Sequence, residues 1–202
     1  RGYPALERMY KDLHAHPEVA FQEGRTAAIL AAQMRKLGFT VTEGVGKTGL
    51  VAILKNGAGP TVLIRADMDG LPMEEKTGLA HASKHTQIVN GQPQLTAHAC
   101  GHDIHMVWWL AAAEALTAMK SQWSGTLMFV AQPAEETVSG AKAMLADGLF
   151  ERFPKPDFGF AAHVTPAPEG SVMLKSGTVT SSSDTMVVTF NGKGAHGSSP
   201  NQ

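Results

Sequence analysis

The chain has 202 residues, of which 43% are hydrophobic and 17% are charged, and its formal net charge is -1 at pH 7. This composition is typical of a globular chain with one sizeable core, and a charge near zero without blocks of like sign disfavours binding to nucleic acid or to an anionic membrane surface. The single cysteine, Cys100, excludes an intrachain disulfide framework.

Two amphipathic helices are predicted at the start of the chain, over residues 4–14 and 26–37, because their apolar residues recur at helical spacing. Gly38 is predicted to end the second helix. The segments FTVTE, GLVAILK and TVLIRADMD then predict three strands. The continuous apolar run from Val62 to Ile64 indicates that the third strand is buried within a sheet.

A long irregular excursion is predicted over residues 74–97, which are polar and rich in Lys, Thr, His and Gln. The run MVWWLAAAEALTAM then predicts a helix over residues 106–119, and GTLMFVAQ predicts a strand. GAKAMLADGLF predicts a helix closed by Gly148, and FGFAAHV predicts a further strand. Strands that alternate with helices predict an α/β fold with a mixed, largely parallel sheet and flanking helices.

After Gly177 the composition changes to a Ser/Thr-rich segment, which is followed by a further predicted strand. This change predicts a domain boundary. Residues 1–178 are predicted to belong to the first domain, and residues 179–202 to begin a smaller α+β domain. We expect a cytoplasmic protein, because the sequence has no apolar signal core and no run as long as the roughly 18 apolar residues of a membrane span. Since the chain begins at Arg1, an exported form is expected if an upstream signal peptide was removed.

Polar side chains follow the predicted apolar strands, where open α/β sheets bind ligands. They are Asp67 and Asp69 after TVLIRA, Cys100 and His102 before a helix, Glu135 and Glu136 after LMFVAQPA, and His163 after FGFAA. A thiolate, imidazoles and carboxylates together form the mixed ligand set that borderline divalent metals such as Zn²⁺ select. The surplus of acids favours a catalytic or dinuclear centre over a closed structural zinc site.

The spacing within these groups suggests separate roles. Gly101 between Cys100 and His102 allows both side chains to face one ion, and Asp103 can cap the following helix or orient an imidazole. In the pair of adjacent glutamates, one carboxylate can bind metal while the other deprotonates a water molecule.

Each of these features also has a purely structural interpretation. Cys100 can be an inert buried thiol beside satisfied histidines, and the acid pairs can be solvated. A thiol hydrolase that uses Cys100 with His102 or His105 is the rival chemistry, but it leaves both acid pairs unused. Nucleotide binding is unsupported, because GVGKTG lacks the leading glycine of a phosphate loop and GKGAHG is followed by SSP where a helix should begin.

Taken together, DLHAHPEVAFQE, VLIRADMDGLPMEE, HACGHDIH, AQPAEE, GAKAMLADGLF, AAHV and GKGAHGSSP resemble, in order and spacing, the M20 family of metallopeptidases. They are most similar to its amidohydrolase branch, which includes aminoacylases, hippurate hydrolase and the hydrolases of auxin-amino acid conjugates. The resemblance implies a zinc-exopeptidase-like catalytic domain over residues 1–178 and the start of a lid or dimerisation domain over residues 179–202. It also implies that the remainder of the lid and a further ligand histidine lie beyond residue 202.

The resemblance assigns a role to each candidate. It implies that four residues bind metal: Cys100, His102, Glu136 and His163. It implies two catalytic residues, Glu135 as general base and His196 of the lid, which would contact the substrate in a partner subunit. Supporting roles behind the metals are implied for Asp67, Asp69, Asp103 and His105.

The implied activity is a metal-dependent amidohydrolase that cleaves the amide bond of N-acyl amino acids or small peptide-like conjugates. Two divalent cations are implied, Zn²⁺ or Mn²⁺ with Co²⁺ or Ni²⁺ as further candidates, together with a homodimer formed through the lid. Nucleic acid and membrane are not expected as partners. The alternatives are a non-catalytic metal-binding fragment of such a protein and a metallo-dipeptidase or carboxypeptidase.

Overall fold

A computed structural model describes residues 2–179, 186–189, 191, 192, 194 and 198. Within these residues the helices are α1 (Tyr3–Ala15), α2 (Gly24–Lys36), α3 (His102–Ala118), α4 (Gly140–Ala146) and α5 (Leu149–Arg152), with a 3-10 turn at Lys120–Gln122. The strands are β1 (Thr40–Val45), β2 (Gly49–Asn56), β3 (Thr61–Asp67), β4 (Thr86–Val89), β5 (Gln92–Leu95), β6 (Gly125–Gln132) and β7 (Phe158–Ala161). Among the described residues, no helix is both long and apolar enough to cross a membrane.

The chain divides into two compact units, Arg1–Thr165 and Pro166–Gln202. All helices and strands named above lie in the first unit. The predicted domains, residues 1–178 and 179–202, remain a prediction.

The main sheet has the strand order β1-β2-β6-β3-β7. Strand β2 is antiparallel to both of its neighbours, whereas β3 is parallel to both β6 and β7. Four of the five strands therefore run in one direction, and β2 alone opposes them. This arrangement confirms the predicted mixed, largely parallel sheet. Strands β2 and β3 follow each other in the chain but are separated in the sheet by β6.

Helices cover both faces of this sheet. Alternate residues of β6 face opposite sides, and each set packs with different helices. Phe129 belongs to a core cluster that includes residues of α1, α2 and α3, and its ring meets the Trp109 ring edge-on at 5.2 Å. Met128 belongs to a second cluster, with Met144 of α4 and Leu149 of α5. The sheet is thus the middle layer between two apolar cores.

The structure departs from the sequence prediction at three places. Helix α3 begins at His102, four residues before the predicted start, because Gly101 adopts a left-handed conformation with φ 82° and ends the preceding loop there. The predicted irregular excursion contains the antiparallel hairpin β4–β5. The predicted helix GAKAMLADGLF is two helices, α4 and α5, separated at Gly148, whose φ is also 82°.

Candidate metal centre

The predicted site residues of the first unit converge at one edge of the sheet. Strands β3, β6 and β7 are parallel, so their carboxyl ends meet at this edge. Asp67 is the last residue of β3, Glu135 and Glu136 follow β6, and His163 follows β7. The first turn of α3 brings His102 to the same place.

His102 is the common member of three groups whose ligand atoms lie within 4.8 Å of one another. The groups are Cys100 with His102 and His163, His102 with Glu135 and Glu136, and Asp67 with His102 and His105. The structure therefore places a histidine that is fully buried at the centre of a thiol, two further imidazoles and three carboxylates.

Two ligand atoms of this cluster are buried without a hydrogen-bond partner among the described residues, His102 Nε2 and Glu136 Oε1. The other ring nitrogen of His102, Nδ1, donates to the Asp69 backbone carbonyl at 2.7 Å, which leaves the Nε2 lone pair facing the cluster. Nε2 lies 3.7 Å from carboxylate oxygens of Asp67 and Glu135 and 3.9 Å from Glu136 Oε1. These separations are too long for hydrogen bonds and leave room for a cation between the ligands.

The carboxylates give the cluster a strongly negative electrostatic potential. Burial raises the pKa of the Cys100 thiol to about 11, and the neighbouring carboxylates of Glu136, Glu135 and Asp67 add to this increase. Burial lowers the pKa of His102, but the adjacent Asp69 and Asp67 outweigh burial and raise it. The same field that holds protons on these groups favours a divalent cation in their place.

His163 approaches Cys100 closely, with Nε2 at 3.4 Å from Sγ. Its Nδ1 donates to the Val164 carbonyl at 2.6 Å, so the Nε2 lone pair faces the thiol. This approach requires the glycine at position 101, because an added Cβ there would lie 2.4 Å from a methyl group of Val164.

Both ring nitrogens of His105 and both carboxylate oxygens of Asp67 have hydrogen-bond partners in the protein. The Val164 backbone N–H donates to His105 Nε2 at 2.9 Å, so His105 carries its proton on Nδ1, which donates to Asp67 at 2.7 Å. Arg65 donates to the other oxygen of Asp67 at 2.7 Å. Burial raises the pKa of Asp67, but the bonds to His105 and Arg65 outweigh it and lower the pKa to about 2. This arrangement fits the predicted supporting role of both residues.

Asp69 holds the backbone of the two adjacent glutamates. Its carboxylate oxygens accept hydrogen bonds from the Glu135 N–H at 2.9 Å and the Glu136 N–H at 3.0 Å. The side chain of Glu135 is 40% exposed and that of Glu136 is 20% exposed. Both carboxylates face His102 Nε2, and that of Glu135 is the more accessible to a water molecule. The division of labour between the two glutamates remains a prediction.

Asp103 contacts both the first turn of its own helix and an imidazole. Gly101, the N-cap residue of α3, makes no side-chain cap hydrogen bond, but Asp103 Oδ1 accepts a 2.9 Å hydrogen bond from the Ile104 backbone N–H. The other oxygen of Asp103 accepts a 2.7 Å hydrogen bond from His14 Nδ1, and Glu75 accepts a 3.1 Å bond from His14 Nε2. The hydrogen bond with Asp103, helped by Glu75, outweighs burial and raises the pKa of His14 to about 9.

The comparison with known families agrees with the geometry. A sequence profile of the peptidase family M20/M25/M40 matches residues 63–195, which is more than half of the chain. The chain belongs to peptidase family M20. This membership confirms the resemblance found in the sequence motifs, and it relates the chain to a family of metal-dependent hydrolases and peptidases.

Two M20 relatives and one solved M20 structure are informative. Hippurate hydrolase of Campylobacter jejuni is 39% identical over 197 residues, which cover 96% of this chain and 49% of that protein. Thermostable carboxypeptidase 1 of Saccharolobus solfataricus is 36% identical over 197 residues, with coverages of 95% and 47%. YXEP of Bacillus subtilis, a dinuclear metal-binding M20 peptidase, aligns with a TM-score of 0.66 at 36% identity, over 74% of this chain and 40% of YXEP. The chain thus spans about half the length of the curated M20 relatives it matches.

One predicted site residue lies outside the described residues, and one buried acid beside the cluster was not predicted. His196, predicted to reach the substrate, lies outside the described residues. Glu23, which the sequence reasoning missed, is fully buried and accepts a hydrogen bond from the Ala134 N–H. Its position as the N-cap of α2 is visible in the sequence as an acid before a helical run, but nothing in the sequence links it to a residue 111 positions away.

Proposed function

We propose that this chain forms the metal-binding part of an M20 amidohydrolase that cleaves the amide bond of N-acyl amino acids or small peptide-like conjugates. The observation that carries the proposal is the pair of buried ligand atoms, His102 Nε2 and Glu136 Oε1, that lack hydrogen-bond partners among the described residues. The hippurate hydrolase relative supports the substrate class, because hippurate is an N-acyl amino acid.

The proposed ligands are Cys100, His102, Glu136 and His163, arranged around two divalent cations. The mixture of sulfur, nitrogen and oxygen donors suits Zn²⁺, with Mn²⁺, Co²⁺ and Ni²⁺ as further candidates. When bound, such cations polarise the scissile carbonyl and lower the pKa of the attacking water. The supporting hydrogen bonds of Asp67, Asp69 and His105 hold the imidazoles and the two glutamates in place.

Glu135 is the proposed general base. Its exposed carboxylate lies beside His102, where it would take a proton from the attacking water and later deliver that proton to the leaving amine. His196 is proposed to hold the substrate carboxylate or the developing oxyanion. Its contribution from a partner subunit and the homodimer itself belong to the same proposal.

The test of this mechanism is the substitution Glu135→Gln, which keeps the size of the side chain but removes the base. We expect hydrolysis of hippurate to fall by about 10²- to 10⁴-fold, because this is the usual contribution of a general base. Metal content, measured by elemental analysis, should stay unchanged. Glu151→Gln, an exposed acid of α5, is the matched control and should retain full activity. Activity retained by Glu135→Gln would rule the mechanism out.

A peptidase is the second candidate, favoured by the 36% identity to a thermostable carboxypeptidase. Comparing turnover of hippurate with that of dipeptides and N-blocked peptides under equal conditions separates the two substrate classes.

A non-catalytic metal-binding module differs from both enzymes, because removal of a structural ion should unfold it. A thiol hydrolase is disfavoured by the raised pKa of Cys100, since the thiolate is the nucleophilic form.

A further inference from the structure

The loop that carries the two adjacent glutamates is held by two buried acids, and the predicted site contains only one of them. Three consecutive backbone N–H groups of this loop donate to carboxylates. The Ala134 N–H donates to Glu23 at 2.8 Å, and the next two N–H groups donate to the two oxygens of Asp69 at 2.9 Å and 3.0 Å. Glu23 and Ala134 both have no exposed surface.

The backbone of Ala134 has a conformation that needs such support. Its φ is 48°, in the left-handed region that residues other than glycine rarely adopt. Its carbonyl accepts hydrogen bonds from the Ser139 N–H at 3.2 Å and the Gly140 N–H at 3.0 Å, which closes the loop. Gly140 is required there, because an added Cβ would lie 1.5 Å from the Pro133 carbonyl oxygen. The direction in which Glu135 leaves this tight turn therefore depends on how Ala134 is fixed.

Glu23 is itself fixed on its other side. Its second oxygen accepts a hydrogen bond from the Thr48 hydroxyl, in the turn between β1 and β2. Since Glu23 is also the N-cap residue of α2, its carboxylate links three elements: the start of α2, the β1–β2 turn and the loop after β6. Burial raises the pKa of this carboxyl group.

We propose that Glu23 is a positioning residue for the reaction: through the Ala134 N–H it sets the backbone from which Glu135 reaches the attacking water. The proposal rests on the proposed function for its catalytic consequence. Its structural part, that Glu23 holds Ala134, is independent of the reaction. Among the described residues, Glu23 belongs to none of the three ligand groups, and its carboxylate is hydrogen-bonded to Thr48 and to the Ala134 N–H, so the path proposed for its effect is the loop after β6.

The chain offers a matched control. Glu18 is also buried, lies five residues before Glu23, and accepts hydrogen bonds from two backbone N–H groups, those of Arg25 at 3.1 Å and Thr26 at 2.7 Å. Glu18→Ala therefore removes a buried carboxylate whose hydrogen bonds go to the first turn of α2 and not to the loop after β6. Glu23→Gln is the conservative variant, because its amide oxygen can still accept from Ala134 and its amide group can donate to Thr48.

The structural part is tested by amide hydrogen exchange at Ala134, measured by NMR in the metal-loaded protein. We expect Glu23→Ala to accelerate exchange at Ala134 by about tenfold relative to the amides of β6, because a hydrogen bond that protects this N–H is lost. Glu18→Ala and Glu23→Gln should leave this ratio within about twofold of the wild type. Equal ratios in Glu23→Ala and Glu18→Ala would overturn the proposal.

The catalytic part is tested by the kinetics of hippurate hydrolysis in the same variants. We expect Glu23→Ala to lower kcat by about 10- to 100-fold with KM and metal content nearly unchanged, because a misplaced base slows the chemical step rather than binding. Glu23→Gln should restore most of kcat. A normal kcat in Glu23→Ala would overturn the catalytic role, even with altered exchange.

A variant that does not fold and a wild type without activity each leave a measurement that still tests the role of Glu23. If Glu23→Ala fails to fold, Thr48→Val removes only the hydroxyl that holds the other oxygen of Glu23, and it should produce a smaller change of the same kind at Ala134. An unchanged exchange ratio in Thr48→Val would then count against the proposal. If the wild type hydrolyses no amide substrate, the proposed function fails, but the exchange ratios still decide whether Glu23 holds Ala134.

Discussion

The histidines of the centre differ in what each ring nitrogen already bonds. His102 and His163 each donate from Nδ1 to a backbone carbonyl, which leaves each Nε2 able to bind a metal ion. Nε2 of His102 has no hydrogen-bond partner among the described residues, and Nε2 of His163 lies 3.4 Å from the Cys100 thiol. His105 and His14 have both nitrogens occupied by protein partners. Residue types and spacing predicted the cluster, but the roles of individual rings depend on hydrogen bonds that only the fold supplies.

His14 illustrates what the sequence could not provide. The motif DLHAHPE was noticeable, but its partners Glu75 and Asp103 lie 61 and 89 residues away, in segments with no periodicity that would bring them together. The structure shows an imidazole clamped between two carboxylates directly behind the first turn of α3. We infer that this clamp stabilises the segment that carries His102.

The clamp should make the free energy of unfolding depend on pH. The pKa of His14 is about 9 in the folded chain and near its usual value of 6.5 when unfolded, so the folded state binds the proton more tightly. The stabilisation is fully present below about pH 6.5 and is lost as the pH rises through about 9. We expect His14→Gln to cost about 1.5–3 kcal/mol at about pH 6 and clearly less at about pH 10, as measured by urea unfolding.

His16 provides the control for this measurement. Its side chain is 45% exposed and lies near Asp12 within the same helix end, so His16→Gln should cost much less at the lower pH. An equal loss for His14→Gln at both pH values would show that the imidazole acts only through its shape.

At the scale of elements, most strand and helix types followed from periodicity, but the hairpin β4–β5, the start of α3 and the division between α4 and α5 did not. The hairpin β4–β5 was missed although its turn is Asn90-Gly91, the sequence signal of a two-residue hairpin, and both residues have positive φ. The short, mostly exposed strands of this hairpin obscured the alternating pattern. The first turn of α3 was missed because its polar residues His102, Asp103 and His105 serve the site rather than an apolar face.

The two adjacent tryptophans of α3 have opposite environments. Trp109 is 2% exposed, contacts Phe129, and donates a 3.1 Å hydrogen bond to the Ile64 carbonyl of β3. Trp108 is 46% exposed. Trp109 therefore anchors the helix that carries His102 to the strand that ends at Asp67.

We expect Trp109→Ala to lower the free energy of unfolding by about 3–5 kcal/mol, because it leaves a large cavity between α3 and the sheet. Trp108→Ala should change it by about 0.5 kcal/mol or less, as is usual for surface positions. Urea unfolding followed by circular dichroism measures both values. Similar losses for the two variants would contradict the assigned packing of α3.

At the scale of the whole molecule, the sequence predicted the class of fold but not the strand order. The insertion of β6 between β2 and β3 is set by the long connection through α3, and strands that are sequential in the chain give no signal of it. The same insertion aligns the ends of β3, β6 and β7 and so assembles the cluster. Fold and site are therefore products of one topological feature.

The two apolar cores lie on the faces of the sheet, while the ligand cluster lies at its edge. The apolar packing of the first unit therefore does not run through the ligand side chains. For a catalytic centre, we consequently expect metal removal to abolish hydrolysis while most secondary structure remains.

The most direct test of the account is the number of metal ions bound per chain, determined by elemental analysis after loading with Zn²⁺ and extensive dialysis. We expect about two ions per wild-type chain, because the three ligand groups that share His102 are proposed to hold two divalent cations. His102→Ala should lose nearly all of this metal, whereas the control His16→Ala should retain it. A wild-type chain without metal, or His102→Ala with its metal unchanged, would contradict the assignment of this cluster as a metal centre.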